Sequence, residues 1–262
     1  MKKVLKWILF AFIILIIIGI IADKSENNSD EKTEVVKNSE QKIAMTTKEH
    51  QMVELFINDD VTSSLNGGKS TLATNYIQIT AKELQKVYAS NEARGDKNYK
   101  DKNIIITGIV KSIDSSIGDI PVISLKTGDM FNAVRLNLAK KYRGMAADLD
   151  KNQKVTFACI GDGVIIGSPT LTDCKPVSSE VSKITNDQMK LVNKFIKGDN
   201  KIPDDIKRTV LIVKLLGQET NDFAQCQEIN INCMNESGEL LSKMNKEKLQ
   251  EKMKQLSVEI SE

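Results

Sequence analysis

From Val4 to Ala22 the chain is apolar except at Lys6, and no charged residue stands between Trp7 and Ala22. That length is about what a helix needs to cross the roughly 30 Å hydrocarbon core of a bilayer. Whatever follows must then fold on one side of a membrane. Lys2 and Lys3 place the N-terminus in the cytoplasm, Lys6 can snorkel to the interface, and Trp7 stands where an aromatic anchor would. Residues 1–22 are therefore expected to form a single N-in span of the cytoplasmic membrane, with the bulk of the chain extracytoplasmic. The rival reading is a cleaved signal peptide. Its apolar region usually runs only about 7–15 residues before a small-x-small site, and Ile20-Ile21-Ala22 puts a bulky Ile at the −3 position. No cysteine follows the apolar run, so a lipid-anchored cysteine is not expected there.

Composition narrows the chemistry. With 40% hydrophobic and 27% charged residues and 4 prolines in 262, the chain belongs with folded proteins. His50 is its single histidine, so a Ser-His-Asp triad has one candidate and zinc sites with two histidines are excluded. The formal net charge is +2, and removing the three lysines of residues 1–22 leaves −1 for the remainder. Only residues 80–176 are basic, at +4, well short of the footprint of a general nucleic-acid binder.

Residues 23–45 are polar and read as a stalk. Residues 46–79 form a helical lead-in, opened by a capping box at Thr46-x-x-Glu49, with Met52, Val53 and Phe56 on one face and Gly67-Gly68 at its end. Thr80-x-x-Glu83 caps a second helix over about 80–92, with Leu84, Val87 and Tyr88 on its stripe. From 103 to 174 the period becomes that of strands: Ile104–Ile113 with a bulge or bend at Gly108, Pro121–Leu125, and Val134, Leu136 and Leu138 alternating with polar residues. Residues 139–150 favour helix. Val155, Phe157 and Cys159 alternate again, and Gly161-Asp162-Gly163 reads as a hairpin before Val164–Ile166, with the last strand resuming at Leu171.

Three strands, a short helix and two strands is the order of an OB-fold. The expected fold class is α+β: a five-stranded OB-fold β-barrel over residues 80–176 with a preceding helix, an N-terminal transmembrane helix, and an α-helical region over 177–262. In that last region Thr185-x-x-Gln188 caps a helix with Met189, Val192, Phe195 and Ile196 on its stripe. Pro203 starts another helix that Gly217 ends, and a final helix runs from about Glu239 with Leu249, Met253 and Leu256 on one side. Whether these helices pack within the chain or between chains stays open at this level.

The stretch Ile79-Thr80-Ala81-Lys82-Glu83-Leu84, with Tyr88, Asn91-Glu92, Lys97 and Tyr99, resembles the entry helix of the tRNA-anti-like OB-fold family of exported bacterial proteins. The strand Thr107-Gly108-Ile109-Val110, continuing through Ser112-Ile113-Asp114, fits the same pattern, as does the ending Gly167-Ser168-Pro169, Leu171, Asp173-Cys174. The resemblance covers about residues 77–176. It implies the barrel and an envelope location; the family takes its name from anticodon-binding OB domains, and its members are mostly uncharacterised.

An even number of cysteines in an exported chain favours disulfides. Cys159 and Cys174 would end the fourth and fifth strands as neighbours, and Cys226 and Cys233 are close in sequence. Of the three possible pairings, the local one is expected. The spacing of neither pair suits zinc.

No catalytic constellation stands out, and the chain is expected not to be an enzyme and to carry no cofactor or metal. Asp59-Asp60, Asp148/Asp150 and Asp204-Asp205 lack the spacing of a calcium loop. Asn66-Gly67-Gly68-Lys69-Ser70 ends like a phosphate loop but has Ser63 where the first glycine belongs. His50 has no sequence partner and is expected in solvent. Binding is the stronger class. Arg135, Lys140, Lys141 and Arg143 are the candidate anion-binding residues, against the plainer reading of a solvated edge. Phe131, Phe157, Tyr99 and Tyr142 are the aromatics at hand, with Phe157 assigned to the core. The expected function is a membrane-anchored extracytoplasmic binding or interaction module of the cell envelope, with an envelope protein or small ligand as partner. Single-stranded nucleic acid on the barrel face is the alternative.

Overall fold

The computed structural model describes residues 42–68, 70, 75–116, 118–243 and 245–259. The expected span and most of the expected stalk, residues 1–41, lie outside the described residues. Among those described, no helix is long and apolar enough to cross a membrane. The chain divides into two compact units, residues 60–184 and residues 1–59 with 185–262. Helices α1 (Thr47–Leu65) and α4 (Val177–Ile196) each contain a division point.

In the first unit, β1 (Ile77–Thr80) leads into α2 (Ala81–Ser90) and α3 (Glu92–Tyr99). There follow β2 (Asn103–Ser116), β3 (Ile120–Lys126), β4 (Ala133–Leu138), a 3-10 helix (Lys140–Asp148), β5 (Lys154–Ile165) and β6 (Ser168–Pro176). The six strands lie in the order β1-β2-β3-β4-β6-β5, and β5 also pairs with β2, so the ladder begun at β2 returns to it. Neighbours are antiparallel except β1 with β2 and β4 with β6.

Alternation dictates what lies inside. Ile104, Ile106 and Val110 of β2, Ile123 and Leu125 of β3, Val134, Leu136 and Leu138 of β4, Phe157 of β5 and Leu171 of β6 share one buried cluster. Ala81, Leu84 and Tyr88, at helical spacing on α2, join it. The Thr80 capping box forms as expected: Glu83 N donates to Thr80 Oγ1 at 3.2 Å and Thr80 N to Glu83 Oε2 at 3.0 Å. The edge strand β1, parallel to residues 104–107, is a sixth strand that the sequence reading assigned to the helical lead-in.

Two turns fall elsewhere than expected. The bulge of β2 lies between Val110 and Ser112, not at Gly108. Gly161-Asp162-Gly163 is no hairpin: β5 runs through it with a shift of register, and the reversal comes at Ile166-Gly167, with φ of 50° and 70°. Gly161 is needed for another reason. A Cβ there would stand 1.9 Å from the Tyr99 carbonyl oxygen, where the chain leaving α3 crosses β5. Gly161 N donates to Lys102 O at 3.0 Å and Asp101 N donates to Gly161 O at 2.9 Å, fixing that approach.

Cys159 and Cys174 are bonded across β5 and β6, both buried, with Cα atoms 4.1 Å apart. Glu180, buried near the start of α4, accepts from Tyr76 Oη at 2.7 Å and pairs with Lys175 Nζ at 2.8 Å. Burial pushes the Glu180 carboxyl up, but the bonds from Lys175 and Tyr76 outweigh it and hold it below its usual range.

The second unit is helical: the first part of α1, most of α4, α5 (Asp204–Glu219), α6 (Ile231–Ser242) and α7 (Lys246–Glu259). Its buried residues include Ile43, Met52, Val53, Val192, Phe195, Val210, Val213, Leu216 and Phe223. Ile43 N donates to Ile196 O at 2.9 Å, so residue 43, within the stretch read as stalk, is part of this unit. Thr46 and Glu49 form the expected box, Glu49 N to Thr46 Oγ1 at 3.1 Å and Thr46 N to Glu49 Oε2 at 2.8 Å. His50 is half-buried with Nε2 3.1 Å from Asn193 Oδ1, where solvent exposure was expected. Helix α4 begins at Val177, directly after the proline that ends β6, and Thr185 is buried inside it. Gly217 lies inside α5 because a Cβ would stand 2.6 Å from Glu49 Oε1. The expected final helix is two, the first ending at Ser242 and the second starting at Lys246. Cys226 and Cys233 are bonded, as expected, with Cα atoms 5.5 Å apart.

Candidate functional site

Strand register aligns one polar row across the sheet. Ser112 of β2 faces Ser124 of β3, Ser124 faces Arg135 of β4, and Arg135 faces Thr170 of β6. One row across four strands thus reads hydroxyl, hydroxyl, guanidinium, hydroxyl. The next row holds Asp114, Val122 and Asn137. Arg135 is exposed. Its planar fork of donors suits an anionic oxygen, while the Ser124 and Thr170 hydroxyls beside it are buried, at 9% and 3% exposure. Neither row carries an aromatic side chain.

The four candidate anion-binding residues fall in two places. Arg135 is on the strand row, while Lys140, Lys141 and Arg143 follow on the 3-10 helix beyond β4, which Ala139 N ties to Cys174 O at 2.9 Å. Lys141 Nζ stands 5.4 Å from the centre of the Tyr142 ring, within cation–π range. The Tyr142 hydroxyl bonds Ser179. The Arg143 Nε is buried without a hydrogen-bond partner. Among the described residues, no group of three or more His, Cys, Asp or Glu side chains stands together as metal ligands.

Of a second surface, only Phe131 stood out in the sequence. The β3–β4 loop, Thr127 to Asn132, holds Met130 at 81% and Phe131 at 87% exposure. It is braced from within. The Asp129 carboxylate accepts from Phe131 N at 2.8 Å and Asn132 N at 2.9 Å, and Thr127 Oγ1 donates to Asn132 O at 2.9 Å while accepting from Asp129 N at 3.2 Å. Lys111 Nζ donates to Met130 O at 3.1 Å. Beside this loop lies the β5–β6 turn, with Ile165 at 50% and Ile166 at 91% exposure. A Cβ on Gly167 would be 3.2 Å from Asn132 Oδ1, and Ala133 N lies 3.5 Å from Ser168 Oγ, so the two turns adjoin. The available signal was Thr127-Gly128-Asp129 ahead of two large apolar residues: turn formers that leave Met130 and Phe131 no inward side.

The amides of Asn132 and Phe131 hold the Asp129 carboxyl below its usual range. A group with a depressed folded value contributes its order above the ordinary aspartate range and loses it as pH falls through the folded value. The amide resonances of Phe131 and Asn132 are therefore expected to shift together only in more acidic solution than an ordinary aspartate requires. Asp129→Ala should average them at neutral pH while resonances of the β4 core stay in place. Unchanged loop resonances in that variant would show that the carboxylate does not brace the loop.

A closed strand ladder entered by a capped helix, with a parallel pair between its fourth and sixth strands, defines an α+β protein of OB-like type. The chain matches the tRNA_anti-like family over residues 1–175 and belongs to that family. Among solved structures it is similar to a lipoprotein from Klebsiella pneumoniae described as a proposed nucleic acid-binding protein. The identity is 16%, over 37% of this chain and 90% of that one, with a TM-score of 0.32. No curated protein matches.

Proposed function

We propose that this chain is a membrane-anchored extracytoplasmic module of the bacterial cell envelope that binds an anionic ligand on the outward face of an OB barrel. The observation that carries the ligand class is Arg135, exposed between the buried Ser124 and Thr170, with no carboxylate directly across from it on either neighbouring strand. The ladder that returns to β2, with β4 and β6 parallel, supports the barrel reading. The apolar run from Val4 to Ala22 supports an anchor. Two disulfides and no free cysteine support an oxidising compartment. Binding is proposed in place of catalysis because the one histidine is hydrogen-bonded to Asn193, and the hydroxyl–carboxylate pair of the rows, Ser112 Oγ donating to Asp114 at 2.7 Å, has no histidine between its members.

Single-stranded nucleic acid is the second reading. The exposed Phe131 favours it as a stacking platform, whereas the strand rows offer no second aromatic. Titration of the detergent-solubilised full chain with heparin and with a labelled single-stranded oligonucleotide at low salt separates the two. Arg135→Gln should weaken heparin binding by about tenfold, the loss of one charge-assisted contact. Oligonucleotide binding that falls with Phe131→Ala would favour the second reading. No binding of either polyanion would sink the anionic-ligand assignment.

A further inference from the structure

The paired turns at 127–132 and 165–167 call for an occupant of their own. Met130, Phe131 and Ile166 project almost completely into solvent, and Ile165 is half exposed. Their backbones do not let them fold away. Asp129 and Thr127 hold the first turn, and Ile166-Gly167, both at positive φ, form the tight turn of the second. A β-branched residue at φ 50° is an uncommon state, and its side chain here gains no burial in return.

The shape and chemistry of this surface select among occupants. The side chains are convex tips, not the walls of a groove, so a rigid protein would need a matching pocket for each. Three of the four are aliphatic and offer no face for a base to stack on. Two lysines adjoin the loop: Lys111 is fastened to Met130 O, and Lys126 of β3, opposite Ala133 at the root of the loop, donates to Asn152 Oδ1. Ile109, two residues before Lys111 and itself 43% exposed, stands opposite Lys154. The one carboxylate in the loop, Asp129, is turned onto its own backbone amides. Apolar tips with lysines at their base match the boundary between acyl chains and anionic headgroups.

We infer that the Met130–Phe131 and Ile165–Ile166 turns dock the folded chain onto the surface of a phospholipid bilayer carrying anionic headgroups. This rests on the anchored reading above. From Ala22 to Lys42 the chain can reach at most about 70 Å in any conformation, so an anchored chain keeps its folded part within tethering distance of a bilayer. Docking is then effectively intramolecular and needs little intrinsic affinity.

The test uses the full chain. Trp7→Phe with Phe131→Trp leaves one tryptophan, at the tip of the exposed loop, where the larger ring meets no packing constraint. The protein is reconstituted into phosphatidylcholine–phosphatidylglycerol vesicles with or without brominated acyl chains, and the vesicles are floated. The expected result is co-flotation, with loss of most tryptophan emission in the brominated vesicles. That quenching should be relieved by Met130→Ser with Ile166→Ser, and weakened when phosphatidylglycerol is omitted. Co-flotation with equal emission in both vesicle types would overturn the docking and leave the anchor standing. Failure to float together with unquenched emission would overturn both. Emission that responds to an oligonucleotide but to neither vesicle would assign the turns to nucleic acid and overturn the lipid occupant.

Discussion

Gly161→Ala is expected to destabilise the strand-rich unit by about 3 kcal/mol, near the upper end of what overpacking usually costs. The added methyl would sit 1.9 Å from the carbonyl oxygen of Tyr99 and 2.8 Å from its carbonyl carbon. Both belong to backbone, so no side chain can swing aside. Backbone bonds from Gly161 N to Lys102 O and from Asp101 N to Gly161 O hold the two segments at this distance. Relief would separate β5 from the start of β2 and disturb Ile104, whose Cδ1 is 3.2 Å from the same point. Thermal unfolding of the full chain should show a melting temperature roughly 10 °C lower. An unchanged temperature would mean that β5 does not cross the end of α3 this closely.

Lys214→Met is expected to cost about 3 kcal/mol in the helical unit, since it leaves a buried carboxylate without its cation. Glu49 is 3% exposed, and Lys214 Nζ lies 3.0 Å from it and 2.8 Å from Ala44 O. The same carboxylate caps Thr46 N and fills the space that Gly217 leaves open. Lys214 thus joins the start of α1 to α5 by charge as well as by geometry. Glu49→Gln combined with Lys214→Met should recover most of the loss, because a neutral amide can still accept at the cap and needs no counter-charge. Chemical denaturation of the single and double variants reads this directly. A double variant as unstable as Lys214→Met alone would show that Lys214 acts through packing rather than by neutralising Glu49.

What could be read in the sequence was local. Thr80 and Glu83 signalled their helix because a capping box is written within four residues, and the alternation at Val134, Leu136 and Leu138 signalled β4 for the same reason. Both disulfides followed from compartment, spacing and strand order. The misses depend on partners distant in sequence. Gly161-Asp162-Gly163 looks like a turn until Tyr99 is brought against it, and Gly217 looks like a helix end until Glu49 is placed beside it. β1 is only four residues long and becomes a strand by pairing with Ile104–Thr107. At the candidate site Arg135 was legible as a charge, but its row with Ser112, Ser124 and Thr170 needs the register of four strands. The exposed Met130 and Phe131 were invisible to periodicity because a loop has none.

The central claim, an anchored extracytoplasmic module, is tested most directly by cysteine labelling in intact cells. Cells producing the full chain are treated with a membrane-impermeant maleimide before and after reduction, and then fractionated. The expected result is a membrane-bound chain that takes up no label until it is reduced, because all four cysteines are paired and the proposed anchor places them outside the cytoplasm. A chain recovered in the soluble fraction, with thiols that react without reductant once the cells are lysed, would contradict it.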